Sequence, residues 1–181
     1  MHALPRVAGG VVLRRLSASD LAAFQSYRRD PVLGRYQGWT ATSDAEATAF
    51  LGEMGVAQLL QAGQWSQIGI ADAQTLNLIG DIGLLLAPDG RYAKIGFTLM
   101  HHAQRRGLGA TAVREAINLV FRMTDAERVL GITDARNLPS IRLLERVGMQ
   151  RTESRSAMFR GEPCVEHTYA ISRQRERGRL A

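Results

Sequence analysis

The stretch "HHAQRRGLGATAVREAINLVF" (101–121) sets two arginines and two glycines directly before a segment with helical apolar periodicity. Arg105, Arg106, Gly107 and Gly109 have the chemistry of an anion seat. A helix N-terminus carries N–H groups without partners and a partial positive charge. Glycines keep side chains away from those groups, and Thr111 adds a hydroxyl donor. A solvated, positively charged turn fits the same spacing equally well. The stretch is neither a P-loop nor a dinucleotide fingerprint. No Gly-Lys-Ser/Thr follows, and Ala112 stands where the third glycine belongs.

The second concentration of polar groups is "ITDARNLPSIRLLERVGM" (132–149). Asn137 reads as a helix cap, Pro139 as a first-turn residue, and Gly148 as a left-handed stop. Ile141, Leu144 and Val147 then face a core, and Asp134 forms the turn before the cap. Further along, Glu166 and His167 sit on opposite faces of a strand, so at most one of them faces a given site. His101 and His102 read as exposed residues at a strand end. Cys164 reads as a small, half-buried strand residue. Tyr36 and Trp39 either line a pocket or pack in the core.

The elements that must position these groups follow from periodicity and turn chemistry. "VVLRRL" (11–16) is a strand ending at Ser17, which caps a helix over "ASDLAAFQSYRRD". A second helical region spans 42–63, with Ser43 or Asp44 as cap and Gly52 and Gly55 inside it. "WSQIGIA", "LIGDIGLLLA" and "AKIGFTLMH" are three antiparallel strands separated by turns. A helix (about 107–122), a strand (128–134) and a helix (138–147) come next. Two closing strands are joined at "RGEP". The reading is one α/β (α+β) domain over 10–172, between an N-terminal extension (1–9) and a basic, flexible tail (173–181). Its sheet is mixed and largely antiparallel, with six to seven strands and about four flanking helices.

Composition narrows the class. A 181-residue chain that is 45% hydrophobic buries a core without staples. Cys164 is the sole cysteine, which excludes an internal disulfide or a cysteine-based structural zinc site and suits a reducing cytoplasm; no metal is expected. No apolar run reaches 18 residues, so no transmembrane helix is expected, and the N-terminus lacks the pattern of a signal peptide. The net charge of +6 rests almost wholly on arginine, Lys94 being the only lysine. Those arginines are scattered, with little aromatic interleaving, which argues against a nucleic-acid-binding module.

Gln104, Gly107 and Gly109 after a strand, followed in order by Asn137, Ser140 and Gly148-Met149, resemble the GCN5-related N-acetyltransferase (GNAT) superfamily. The branch typified by ribosomal-protein alanine acetyltransferases is the most similar. The resemblance covers about residues 10 to 172. It implies an enzyme that moves an acetyl group from acetyl-coenzyme A to a primary amine, on a protein N-terminus or a small molecule. The acceptor attacks directly in a ternary complex. The resemblance further implies that the pyrophosphate rests on the backbone around Gln104, Arg105, Arg106, Gly107, Leu108, Gly109, Ala110 and Thr111. The pantetheine arm runs beside Phe97, Thr98 and Leu99 and reaches Asn137.

Two departures bear on catalysis. Leu144 stands where many members carry the tyrosine that protonates the leaving thiolate, so Ser140 becomes the candidate donor. Lys94 stands where many carry a glutamate, and a lysine does not replace that base unless strongly desolvated. Asp134 and Glu166 are then the carboxylates available to orient a proton-carrying water. A degenerate, coenzyme A-binding regulator is the alternative reading. Bacterial origin, a cytoplasmic location, and a monomer or homodimer are the remaining expectations.

Overall fold

The computed structural model describes residues 3–173; of the expected basic tail, all but Arg173 lies outside the described residues. The described chain forms β1 (Arg6–Ala8), β2 (Val11–Arg14), α1 (Leu21–Arg28), α2 (Pro31–Gly34) and α3 (Asp44–Val56). Then follow β3 (Trp65–Asp72), β4 (Leu78–Leu86), β5 (Tyr92–Leu99), α4 (Leu108–Met123), β6 (Arg128–Asp134) and α5 (Leu138–Arg146). The closing pair is β7 (Gln150–Phe159) and β8 (Glu162–Ser172). One eight-stranded sheet results, in the order β1-β2-β3-β4-β5-β6-β8-β7. Every pairing is antiparallel except β5 with β6.

The eighth strand is β1, whose three residues are too short to show a period. Gly9, in the left-handed region at φ 52°, turns it back onto β2. The fifth helix is α2, a single turn capped by Asp30, whose carboxylate accepts from the amides of Val32 and Leu33. Within the helical region expected over 42–63, the helix runs Asp44–Val56 and the rest is irregular. Ser43 and Glu46 form the capping box that starts it. Beyond its end, Leu59 and Leu60 turn into the core. The closing turn is narrower than "RGEP": Arg160 and Gly161 both take positive φ, as a two-residue hairpin requires, and Glu162 and Pro163 already belong to β8.

Two apolar layers hold the sheet. The larger joins α4 and α5 to one face, with Val11, Ile68, Ile82, Ile95, Val129 and Ile171 among its buried residues. The amphipathic period of α4 predicts this: Val113, Ala116, Ile117, Val120 and Phe121 are all buried. The smaller layer packs Phe24 and Tyr27 of α1 and Leu51 and Met54 of α3 near Leu78 on the other face. The carboxylate of Asp81 on β4, 1% exposed, is fixed on that face. It accepts from the Tyr27 hydroxyl (2.5 Å), Arg28 (2.7 Å) and Gln67 (2.9 Å). Burial and the adjacent Asp81 raise the Tyr27 phenol well above its ordinary pKa. The Arg28 guanidinium lies between the Phe24 and Trp39 rings, 4.6 and 4.5 Å from their centroids. This network ties α1 and the loop after α2 to the sheet.

Candidate active site

β5 and β6 pair only at their first halves, Tyr92–Ile95 against Arg128–Gly131. Beyond Ile95, β5 follows β4, where Leu99 opposes Gly80; beyond Gly131, β6 follows β8, where Asp134 opposes Glu166. The two parallel strands therefore part into a wedge. One helix starts on each side of its mouth, α4 after β5 and α5 after β6. Gln37 bridges into the wedge, its side-chain amide donating to the carbonyl of Phe97 at 3.1 Å. Thr98 is buried, and Phe97 and Leu99 are half-buried along this edge.

The loop before α4 is built to keep its backbone accessible. Gln104 fixes it by donating to the Leu99 carbonyl at 2.8 Å. Arg105 (φ 59°) and Gly107 (φ 78°) are both left-handed. No side chain caps α4, and its first turn holds no acidic residue. Arg105, Arg106 and Gly107 are exposed, and a Cβ on Gly107 would meet nothing within 4 Å. Gly109 does different work from the one its spacing implies. It is buried, and a Cβ there would come 2.9 Å from Leu143 of α5 and 3.5 Å from Leu99. Its missing side chain lets α4 approach α5. Leu108 and Ala110 are buried beside it, and Thr111 faces the β1–β2 turn at Gly9.

Across the wedge, the side chain of Asn137 caps α5, accepting from the Ser140 amide at 3.4 Å. Ser140 is half-buried, and among the described residues its hydroxyl has no hydrogen-bond partner in the protein. Leu144, 1% exposed, fills the space beside Gly131 of β6, so the position offers packing and no proton donor.

Asp134 is buried at the end of β6 with both carboxylate oxygens engaged. Arg136 donates to one at 2.9 Å and to the other at 2.7 Å, and its amide adds a third bond. This guanidinium fork holds the carboxyl below its ordinary pKa, which makes Asp134 a turn organiser and a poor proton acceptor. Glu166 accepts from Arg155 through one oxygen at 2.9 Å. It lines a small cavity of about 60 Å³ with Tyr36, Ile132, Asp134, Phe159 and Cys164. His167 points away from it and meets Ser154 at 2.9 Å. His101 is bound to Asp30 at 3.0 Å and so joins the end of β5 to α2, while His102 is exposed. Lys94 is half-buried on β5, opposite Leu85 and Leu130.

A wedge between two parallel strands, with a bare helix start at its mouth, is the arrangement that the motif order implies. Residues 11–150 match the acetyltransferase (GNAT) domain family. The chain belongs to that family. Among its relatives is the N-acetyltransferase YoaA of Bacillus subtilis (strain 168), 28% identical over 170 residues, 92% of this chain and 95% of the relative. A GNAT-family acetyltransferase from Bacillus anthracis shares the fold, with a TM-score of 0.83 at 18% identity over 94% of this chain and 99% of that one. RimL, a ribosomal alpha-N-protein acetyltransferase solved in complex with coenzyme A, does so with a TM-score of 0.78 at 19% identity over 92% and 96%.

In this GNAT chain several site residues escape a reading of motifs. Gln37 and Arg35 lie in the loop after α2, Arg136 in the turn after β6, and Arg160 at the tip of the β7–β8 hairpin. Arg160 donates to the carbonyls of Gln37 (3.0 Å) and Trp39 (2.8 Å), closing the hairpin onto that loop. The only local signal for any of them was the Arg-Gly turn at 160–161.

Proposed function

We propose that this chain transfers an acetyl group from acetyl-coenzyme A to a primary amine, on a protein N-terminus or a small molecule. One observation carries the reading: the β5–β6 wedge opens onto the uncapped start of α4. The bare amides from Arg105 to Ala110 suit a pyrophosphate, with Arg105 and Arg106 adding screened positive charge. Gln104 holds that loop in place. Phe97, Thr98 and Leu99 flank the arm, and Asn137 bounds it on the far side. Acetyl-coenzyme A supplies the acetyl group already activated as a thioester.

The neutral amine nitrogen bonds to the acetyl carbon while the carbon–sulfur bond breaks. The amine gives up one proton, and the leaving thiolate takes one. Ser140, whose hydroxyl has no hydrogen-bond partner among the described residues, donates to the thiolate. The amine's proton leaves through water. Glu166, with one oxygen outside its Arg155 bond, orients that water better than Asp134, whose oxygens are both held by Arg136. The cations near the cavity help by disfavouring a charged amine there. Cys164 plays no part as a nucleophile, since attack is direct.

The test is release of free thiol from acetyl-coenzyme A with a panel of amines, each product checked by mass. One acetylated amine per thiol is expected. Cofactor binding without thiol release from any amine would replace this reading with that of a coenzyme A-binding regulator.

A further inference from the structure

The small cavity beside the wedge is lined by two carboxylates that already have partners and is flanked by more cations than carboxylates. Asp134 is held by Arg136 and Glu166 by Arg155. Arg35 is exposed and stacks 5.2 Å from the centre of the Tyr36 ring, while Arg136 lies 6.0 Å from the same ring. Arg160 approaches the Phe159 ring to 5.2 Å and hydrogen-bonds only neutral carbonyls. Among the described residues, neither Arg35 nor Arg160 forms a salt bridge. Tyr36 and Phe159 both line the cavity, so two further guanidiniums stand beside it; Arg35 also acts electrostatically on Asp134, and Arg35, Arg136, Arg155 and Arg160 together outnumber the two lining carboxylates. Cys164 and Asp134 also line an adjoining groove of about 650 Å³. Its other walls include Ala157, Met158, Pro163 and Val165, which offer an apolar trough to whatever extends from the cavity.

A polycation such as a polyamine would meet like charge at this rim. An acceptor whose amine lies close to an acidic group would meet the exposed Arg35 and the N–H groups of Arg160 not used on Gln37 and Trp39, and guanidiniums bind carboxylates with directed hydrogen bonds. From this charge pattern we infer that the acceptor is a primary amine carrying a carboxylate, held at the cavity rim by Arg35 and Arg160. The inference rests on the acetyl-transfer reading and narrows its acceptor. Free acidic amino acids and peptides with an acidic N-terminal segment share this chemistry, and the groove gives a peptide more to hold.

Thiol release is measured with free aspartate, an Asp-led peptide, its Asn-led counterpart and spermidine, on wild type, Arg35→Glu and Arg160→Lys. The acidic acceptors are expected to exceed the neutral peptide and spermidine by about tenfold or more in kcat/KM. Arg35→Glu, which breaks no hydrogen bond among the described residues, should lower kcat/KM for the acidic acceptors by about 10²-fold. It should not lower the value for spermidine, and KM for acetyl-coenzyme A should stay within about twofold, since the described side-chain contacts of Arg35 are with Tyr36 and Asp134 and not with the loop before α4. Arg160→Lys keeps the charge and should cost less than Arg35→Glu. Free aspartate accepted as well as the peptide assigns a small acceptor; the peptide alone assigns the groove as well. Spermidine preferred by wild type, or acidic acceptors unaffected by Arg35→Glu, overturns the inference while leaving acetyl transfer intact. If no amine releases thiol, the transfer reading fails, and calorimetric titration of the Asp-led peptide onto coenzyme A-saturated protein still decides. Binding that Arg35→Glu abolishes supports the acidic-ligand site, and no binding overturns it.

Discussion

α4 and α5 begin on opposite sides of one wedge and are finished in opposite ways. α5 has an Asn137 cap and Pro139 in its first turn, so its leading amides are satisfied from within the chain. α4 is 16 residues long and starts at a left-handed glycine with no side-chain cap and no acidic residue in its first turn. A cap contributes about 1 kcal/mol, and a chain selected only to fold has no reason to omit it at one start while keeping it at the other. α4 tolerates the omission because its long apolar face is buried against the sheet. On the proposed function, the contrast separates a helix start that serves the fold from one left for a ligand.

The largest expected effect sharpens that contrast at the chemistry. Ser140→Ala should lower kcat about 10²-fold with little change in affinity for acetyl-coenzyme A, the low end for an acid–base group. The melting temperature is measured alongside, because Ser140 also sits in the first turn of α5. An unchanged kcat would leave Ser140 a structural residue only.

The two glycines at the α4 start should part company next. Gly109→Val puts bulk against Leu143 and should destabilise the protein by about 1–3 kcal/mol, read from a urea titration. A stable Gly109→Val variant with lost cofactor binding would instead return Gly109 to the phosphate seat. At α5, Asn137→Ala should cost about 1 kcal/mol of stability through the lost cap. A binding loss with no loss of stability would make Asn137 a ligand contact alone.

The smallest effect concerns Asp134. Its carboxyl is lowered by Arg136, so the pair's contribution is fully present above the ordinary carboxyl value and is lost as pH falls through the lowered one. Melting temperature should therefore fall more steeply for wild type than for Asp134→Asn between about pH 5 and about pH 2. Activity of Asp134→Asn at neutral pH should drop less than about 10²-fold, below the yield of a dedicated base. A larger loss, with the acidic limb of the pH–rate profile gone, would make Asp134 that base.

What the sequence made legible was local. Ser17, Ser43 and Asn137 announce three helix starts because each cap is a short-range contact between a polar side chain and an amide two or three residues on. Gly107 is readable for the same reason, as glycine is the residue that reaches a left-handed φ cheaply. The packing role of Gly109 was not legible, because its neighbour Leu143 is more than 30 positions away in the chain, and spacing within one helix carries no trace of it. That residues 97–99 and Asn137 flank one arm was legible only through resemblance, and the wedge between them was not read at all, since it depends on where two strands cease to pair. The arginine rim was hidden altogether. Arg35, Arg136 and Arg160 come from three loops, and only the folded sheet brings them to one cavity.

The most direct test of the bare helix start substitutes Gly107, where a side chain would project into open space. Asn and Asp both tolerate a left-handed φ and differ by a single charge, so Gly107→Asn controls for bulk and strain. Acetyl-coenzyme A is titrated calorimetrically into wild type and both variants. If the α4 amides hold the pyrophosphate, Gly107→Asn stays within about tenfold of wild-type affinity and Gly107→Asp loses about 10²-fold or more. Equal affinity in the two variants would mean that no anion rests at the start of α4, and the site would have to be sought elsewhere.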